Sequence, residues 1–192
     1  MTQHETALQP DAVRRDALLD ALRAAVGREH VLTDPSVTDG FARDMMPLAP
    51  AGTPLAVVRP GSTDEVVAVV KACAAHGVPI VPRGAGSGLS GAANAVDGAV
   101  TVVMTRMNRI VELDAANRVA VVQPGVVNKA LRTAAEAERL FYAPDPSSYD
   151  WCTIGGNLAT NAGGLCCVKY GVTTDAVLGV EVVLARSEER RV

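Results

Sequence analysis

The spacing of apolar side chains predicts three helices along this chain. Residues 11–26 carry Ala, Val and Leu at three- and four-residue intervals and end at Gly27, which is typical of an amphipathic helix. A second helix is predicted from Ser62 to His76, closed by Gly77, with Ser62 and Glu65 at the spacing of a capping box. A third is predicted over residues 127–139.

Short apolar runs between and after these helices predict strands. The runs are Leu55–Arg59, Val78–Val81 and Ala99–Met104, then Ile110–Leu113 and Arg118–Gln123 as a hairpin, and Val177–Leu184 as a buried strand. The Pro-interrupted stretch 33–54 is predicted to be loop, and the glycine-rich stretch after residue 143 to hold little regular structure. This mixed order predicts an α+β (mixed α/β) fold with two small lobes that meet along glycine-rich loops.

The two ends of the chain differ from its middle. Residues 1–53 are predicted to be an N-terminal helix and loop extension, and residues 54–192 the main domain. The last apolar run continues directly into the charged residues 186–192. An apolar strand of this kind is expected in mid-sheet, followed by a turn and a partner. Two interpretations stay open: a solvated tail, or a domain whose last part is truncated.

Composition narrows the function classes. Hydrophobic residues make up 48% and charged residues 20%, which predicts a folded chain, and aromatic residues are only 3%, so the core must be built from Ala, Val and Leu. The net charge of −3 gives no basis for nucleic-acid binding. The four cysteines form no C-x-x-C pair. We therefore expect no metal site, and we expect the thiols to be reduced. With no apolar leader and no run of membrane-spanning length, the expected location is the cytoplasm.

Two glycine-rich regions carry the candidate chemistry. The first is residues 82–91, and the second comprises residues 144–148, 152–157 and 161–164. Glycine lets the backbone approach a ligand closely and adopt positive φ. Clustered N–H groups in such turns form an anion-binding concavity. Two such loops with hydroxyl and amide side chains suggest a long anionic cofactor held at several points.

The sequence of these regions alone leaves several interpretations open. Gly86 to Gly91 matches G-x-G-x-x-G, but a strand follows too soon for the helix of a nicotinamide dinucleotide site, and a purely structural turn is the other reading. Ser147, Ser148 and Thr153 serve either as turn hydroxyls or as phosphate donors. Asn157 and Asn161 are either left-handed turn residues or donors to a ring. Cys152 is either a packed thiol or a covalent flavin attachment.

Taken in order along the chain, these segments resemble a known family. They are Pro82–Gly91, Met107–Ile110, Gln123–Val126, Pro144–Ser148, Cys152–Asn157 and Lys169–Asp175. Together they resemble the FAD-binding (PCMH-type) domain of the vanillyl-alcohol-oxidase flavoproteins, in the branch of glycolate oxidase and D-lactate dehydrogenase. The resemblance covers roughly residues 54–185. It implies two α/β lobes with FAD between them, and it favours a flavin-phosphate loop for residues 82–91.

The resemblance also implies site residues. The pyrophosphate would be wrapped by the first loop, through Pro82, Arg83, Gly84, Ala85, Gly86, Ser87, Gly88, Leu89 and Ser90. The pyrophosphate and ribityl side would be contacted by the second region, through Pro144, Asp145, Ser147, Ser148, Thr153, Ile154, Gly155, Gly156 and Asn157. The flavin would be lined by Asn161, Gly163 and Gly164, and Val180 would lie near the adenine. Because the first loop contains no histidine, the FAD is expected to be non-covalent.

The activity that the resemblance implies is oxidation of a 2-hydroxy acid such as glycolate or D-lactate. Members of the branch are more than twice as long, and their second half supplies the acid–base groups, so no catalytic residue is expected here. His4, His30 and His76 show neither triad nor ligand spacing. Three hypotheses follow: an FAD-binding fragment, a flavin module that needs a separate cap subunit or electron-accepting partner, or a nucleotide-binding protein without redox activity.

Overall fold

A four-stranded sheet forms the first lobe of the computed structural model, which describes residues 12–185 and 189–191. The strand order is β1 (Val31–Leu32), β2 (Ala56–Val58), β4 (Val100–Val103) and β3 (Ile80–Arg83). β2, β4 and β3 run parallel, and β1 is antiparallel to β2. β4 therefore lies inside the sheet, and all four of its residues are buried. β3 forms one edge of this sheet, and Pro82 in it is exposed.

Two long helices cover this sheet: α1 (Ala12–Val26) and α3 (Thr63–His76). Leu18 and Leu22 of α1 share one buried cluster with Val69 of α3 and with Val58 and Val100 of the sheet. Each of these five residues is 0% exposed. The predicted Ala, Val and Leu core is therefore present, and the N-terminal helix belongs to it. Asp11, the first residue of the predicted helix, lies outside the described residues.

The start of α3 shows how a local sequence signal sets a helix boundary. Ser62 Oγ accepts a hydrogen bond from the Glu65 N–H at 3.2 Å, as the capping-box spacing predicts. The Glu65 carboxylate, however, accepts from the Gly61 N–H at 2.7 Å and from Arg106 Nη1 at 3.0 Å. One half of the box is present, and the other is replaced by a partly buried ion pair to a residue 41 positions away.

The second lobe is built from a hairpin, short helices and loops. β5 (Ile110–Asp114) pairs with β6 (Val119–Val122), and Asp114 Oδ1 accepts from the Asn117 N–H at 3.0 Å in the turn, as predicted for this hairpin. The remaining elements are α4 (Asn128–Ala137), α5 (Ile154–Ala159), α6 (Cys167–Tyr170), β7 (Glu181–Val183) and β8 (Glu189–Arg191). The mixed α/β class predicted from the sequence is confirmed.

Some predicted boundaries were wrong. The stretch 33–54 is not all loop, because Asp34 caps α2 (Pro35–Thr38) and a 3₁₀ turn follows at Asp39–Phe41. The stretch after residue 143 contains two short helices, α5 within the second glycine-rich region and α6 just after it. β3 starts two residues later than expected and extends to Arg83, because its pairing partner in β4, rather than its own apolar residues, sets its length.

The predicted buried strand 177–184 was also wrong. β7 spans only Glu181–Val183, and none of its residues is buried. It pairs with β8, which lies within the charged stretch 186–192, for which a solvated tail was one of the two open interpretations. The Thr63 hydroxyl donates to Glu181 Oε2 at 3.0 Å and ties β7 to the start of α3. Within the described ranges, no helix is long and apolar enough to cross a membrane.

Candidate functional site

The first glycine-rich loop begins at the carboxyl end of β3 and leads to its parallel neighbour β4. Residues 84–99 make this connection without any helix. A nicotinamide dinucleotide fingerprint requires the glycines to open a helix. Gly86–Gly91 therefore matches the letters of that motif but lacks its structure.

Arg83 holds the loop from inside. The side chain is buried, and its guanidinium donates to the Ala93 carbonyl at 3.2 Å and to the Arg43 carbonyl at 2.7 Å. Burial lowers the pKa of Arg83, and the charge of Asp44 opposes this shift. Gly86 has φ +80°, and a Cβ at this position would meet the guanidinium. The Arg83 side chain thus serves the loop's conformation.

The N-terminal segment 42–50 braces the same loop, which sequence reasoning missed. The Met45 N–H donates to the Gly88 carbonyl at 3.0 Å, and the Asp44 N–H donates to Asn94 Oδ1 at 2.7 Å. A Cβ on Gly91 would lie 2.5 Å from that of Ala49. The Met-Pro and Ala-Pro pairs of this segment were compatible with an extended chain but carried no signal of its partner.

The second loop is fixed by the chain that precedes α4. Thr153 caps α5, its Oγ1 accepting from the Gly156 N–H at 3.4 Å. The Ile154 N–H donates to the Val126 carbonyl and the Gly155 N–H to the Pro124 carbonyl, both at 2.8 Å. A Cβ on Gly155 would lie 2.7 Å from Pro124 Cβ. Glycine is therefore needed at 155 for close packing of two backbone segments.

The two loops touch each other at Gly84. A Cβ on Gly84 would meet the Thr153 hydroxyl and would lie 3.4 Å from Gly156 Cα. The structure thus brings Gly84 of the first predicted region against Thr153 and Gly156 of the second. Leu89 and Ser90 continue the first loop as exposed residues.

Backbone donors in this region lack partners. In the part of the chain that the structure describes, the N–H groups of residues 85–90 donate to no other group. Asn157 is buried, and its Nδ2 has no oxygen or nitrogen partner among the described residues, although the Asn157 side chain interacts with the Cys152 thiol and lowers its pKa. Consecutive free N–H groups in a glycine turn bind anions well, and an orphan buried donor is expected where a ligand or water supplies the acceptor. These residues fit a pyrophosphate-containing cofactor.

The remaining predicted residues of the second region serve mainly as its frame. The Pro144 carbonyl accepts from Asn128 Nδ2 at 3.1 Å, and Asp145 Oδ1 accepts from the Cys166 N–H at 3.0 Å. Gly164 has φ +145° and packs against Asp145. Ser147 is exposed, and the Ser148 carbonyl closes the turn that leads to Cys152.

Asn161 has φ +47°. Its backbone is therefore in the left-handed conformation, which was one of the two interpretations of this residue. Its Oδ1 accepts from the N–H and the hydroxyl of Thr174, at 3.1 and 3.0 Å. Gly163 packs against Cys167, and Val180 precedes β7 outside the region where the loops meet. Cys152 is 2% exposed and burial raises its pKa, so its thiol is packed and neutral.

A cleft of about 390 Å³ lies beside the contact between the loops. Its lining includes Ala85 from the first loop and Thr153 from the second. The other lining residues include Thr105, Asn108, Val127 and Trp151. No charged side chain lines it. Trp151 and Asn108 were not among the predicted site residues.

Comparison with known families decides what this arrangement is. Residues 54–192 match the family described as FAD binding domain.

The chain belongs to the FAD binding domain family.

Curated relatives of this FAD binding domain support the branch that the sequence suggested. It is 47% identical over 135 residues to the glycolate oxidase subunit GlcD of Bacillus subtilis, a match that covers 70% of this chain and 29% of that protein. It is 40% identical over 163 residues to the D-lactate dehydrogenase of Anaerostipes hadrus, covering 85% and 34%. The chain thus spans about a third of the length of the curated relatives it matches.

The fold of this FAD binding domain is also that of solved flavoproteins. A crystal structure of p-cresol methylhydroxylase with substrate bound superposes with a TM-score of 0.81 at 25% identity. The match covers 96% of this chain and 37% of that one. The PCMH-type fold expected from the sequence is confirmed, and FAD is the cofactor of the family. The division of the chain at residue 53 and the individual cofactor contacts stay predictions.

Proposed function

We propose that this FAD binding domain holds FAD non-covalently where its two glycine loops meet, as the cofactor-binding part of an oxidoreductase for 2-hydroxy acids. The observation that carries the proposal is the row of free N–H groups at residues 85–90, in a loop that Arg83 holds from inside and whose first residue, Gly84, lies against Thr153. These N–H groups would donate hydrogen bonds to the pyrophosphate without a cationic side chain. Asn157 and the α5 cap would complete the polar wall.

The residues carried over from the family keep their proposed roles. Arg83 to Ser90 would wrap the pyrophosphate, with Arg83 acting through the loop it holds. Pro144 to Ser148 and Thr153 to Asn157 would support the pyrophosphate and ribityl side. Asn161, Gly163 and Gly164 would border the flavin, and Val180 the adenine. When bound, FAD supplies a two-electron acceptor.

Non-covalent binding has support in the side chains near the loops. The first loop contains no histidine. Cys152, the one cysteine inside a glycine loop, is buried with a raised pKa. A buried neutral thiol is a poor nucleophile. No side chain in either loop is therefore placed for covalent attachment.

The substrate class comes from the relatives. Proteins named D-lactate dehydrogenase, D-2-hydroxyglutarate dehydrogenase and glycolate oxidase subunit GlcD match this chain at 40–47% identity. All three names denote oxidation of a 2-hydroxy acid. We extend that class to the complete enzyme, together with an electron-accepting partner or subunit and a cytoplasmic location that suits four free thiols.

The test is FAD binding by the purified chain, with paired glycine variants. We expect yellow protein whose flavin passes into the supernatant on acid precipitation. Gly84→Val should lose the flavin, because its side chain would meet Thr153. Gly40→Val is the matched control, since a Cβ at Gly40 meets nothing within 4 Å.

The contrary outcomes are distinct. Colourless protein that takes up no added FAD would reject the proposed function and favour a nucleotide-binding role without redox activity. Flavin that stays in the acid pellet would reject only the non-covalent attachment.

A further inference from the structure

Trp151 occupies an unusual position for a tryptophan. It is the single tryptophan of the chain, it is 43% exposed, and it borders the cleft beside the loop contact. Its backbone N–H donates to the Ser148 carbonyl at 3.0 Å. This bond fixes its position in the turn two residues before Thr153, which contacts the first loop.

Two neighbouring aromatic residues have contacts within the protein that explain their positions. Tyr149 and Phe141 are also partly exposed, but each lies against the Arg132 guanidinium, at 5.3 and 5.8 Å. Trp151 has no ring or cation contact with any residue in the described ranges. Because tryptophan combines a large apolar face with a polar N–H and is enriched where proteins meet partners, a partner for its ring would lie in the cleft that Trp151 borders.

The chemistry of the cleft selects the kind of partner. None of its lining side chains is charged, and of residues 85–90, whose free N–H groups are proposed for the phosphates, only Ala85 lines it. Thr105 and Asn108 are exposed and bond to no other described residue. An asparagine amide offers one acceptor and two donors in a plane, and Val127 adds an apolar wall. These features fit an uncharged planar ring with a hydrogen-bonding edge.

We propose that Trp151 stacks on a planar ring of FAD while Asn108 hydrogen-bonds the edge of that ring. The inference rests on the proposed function and adds two binding residues to it. Aromatic side chains stack on nucleobases irrespective of their identity, and Asn pairs with adenine through two hydrogen bonds in other complexes. The isoalloxazine shares this chemistry, so the experiment must distinguish the two rings.

The experiment measures FAD affinity by the quenching of flavin fluorescence for the wild type and four variants. Trp151→Ala should weaken FAD binding about tenfold or more through the loss of stacking. Trp151→Phe should recover most of that loss, and Asn108→Ala should weaken binding several-fold. Tyr149→Ala, two positions away and already paired with Arg132, is the control and should bind like the wild type.

Separate titrations with ADP and FMN identify the ring. If Trp151→Ala weakens ADP and spares FMN, the ring is adenine, and the reverse result identifies the isoalloxazine. Thermal unfolding shows whether each variant is folded, and Trp151→Phe with Asn108→Ala tests the inference even if the alanine variant unfolds. FAD binding by the wild type with unchanged affinity in all Trp151 and Asn108 variants would overturn this inference alone. A wild type that binds no FAD would overturn the proposed function and the inference together.

Discussion

At the scale of single residues, Arg83 and Gly86 depend on each other. The guanidinium holds two backbone carbonyls from separate parts of the chain, and Gly86 leaves the space for it. The loop conformation therefore relies on a buried cation whose hydrogen bonds are all to neutral carbonyls. Such bonds contribute more than neutral ones, and a buried charge left without them is costly.

Gly86→Ala tests this dependence against a matched glycine. Gly86 and Gly98 have similar positive φ, +80° and +73°, but a Cβ at Gly98 meets nothing within 4 Å. Gly98→Ala should cost about 1–2 kcal/mol from left-handed strain alone. Gly86→Ala should cost on the order of 3 kcal/mol, because it also displaces Arg83. Urea unfolding measures both, and equal losses would show that Arg83 does not hold the loop.

The pKa of Cys73 predicts how the free energy of unfolding changes at alkaline pH. Burial raises the pKa of its thiol from 9.0 to about 11. The unfolded chain therefore loses this proton above pH 9, while the folded chain keeps it until about pH 11, so stability falls as pH rises across that window. Cys73→Ala should flatten the fall in unfolding free energy between pH 9 and 11. Profiles that stay parallel to the wild type throughout would contradict the assignment.

The sequence allowed the glycine loops to be found, because close backbone approach demands glycine at particular positions. It did not reveal the brace from residues 42–50 or the walls formed by Trp151 and Asn108. The contacts of Met45 with Gly88 and of Asp44 with Asn94 join residues more than 40 positions apart. The first of these bonds joins two backbone groups and the second uses only the Asn94 side chain, so residues 44 and 45 carry no local pattern that marks them.

At the scale of elements, helices with end signals were predicted well and short elements were not. α1 and α3 have apolar faces and glycine stops. β1 has two residues and α5 contains Gly155 and Gly156, so neither shows a periodic pattern. α5 forms because Thr153 caps it and because carbonyls at Pro124 and Val126 hold its first turn. The prediction for β7 was wrong for a different reason. Its sequence has a clear apolar run, but this run lies in a small antiparallel pair whose β7 residues are not buried.

The contribution of α1 to the core can be measured with two substitutions in that helix. Leu22 is 0% exposed and Val13 is 80% exposed. Leu22→Ala should lower the free energy of unfolding by roughly 3 kcal/mol, as for other buried leucines. Val13→Ala should change it by less than about 0.5 kcal/mol. A single cooperative transition is expected in both. If Leu22→Ala left the main transition unchanged, the first 53 residues would be a separate unit.

At the scale of the whole molecule, no charged side chain and no histidine of the described residues lines the cleft beside the two glycine loops. Oxidation requires a cation for the carboxylate and a base for the hydroxyl proton. Arg83 is committed to backbone carbonyls. The Nδ1 atom of His76 lies 2.9 Å from the Ala72 carbonyl within α3, and His30 follows α1 in the first lobe. Neither histidine lines the cleft.

We therefore expect no turnover of 2-hydroxy acids by this chain alone. The FAD-loaded protein, held without oxygen, should keep its flavin absorbance with glycolate and with either lactate enantiomer. Dithionite is the control and should bleach the same sample. Rapid, saturable bleaching by any of the acids would show that the 192 residues contain a complete active site.

The exposed edge of the first-lobe sheet has a consequence for solubility. Among the described residues β3 pairs only with β4, and Pro82 within this strand has no N–H to offer. Unpaired edges recruit foreign strands and seed aggregation, and proline is one of the residues that prevent this. The residue that begins the first glycine loop therefore also removes one backbone donor from this edge strand. A substitution at Pro82 would restore that N–H, an effect separate from any effect on flavin binding.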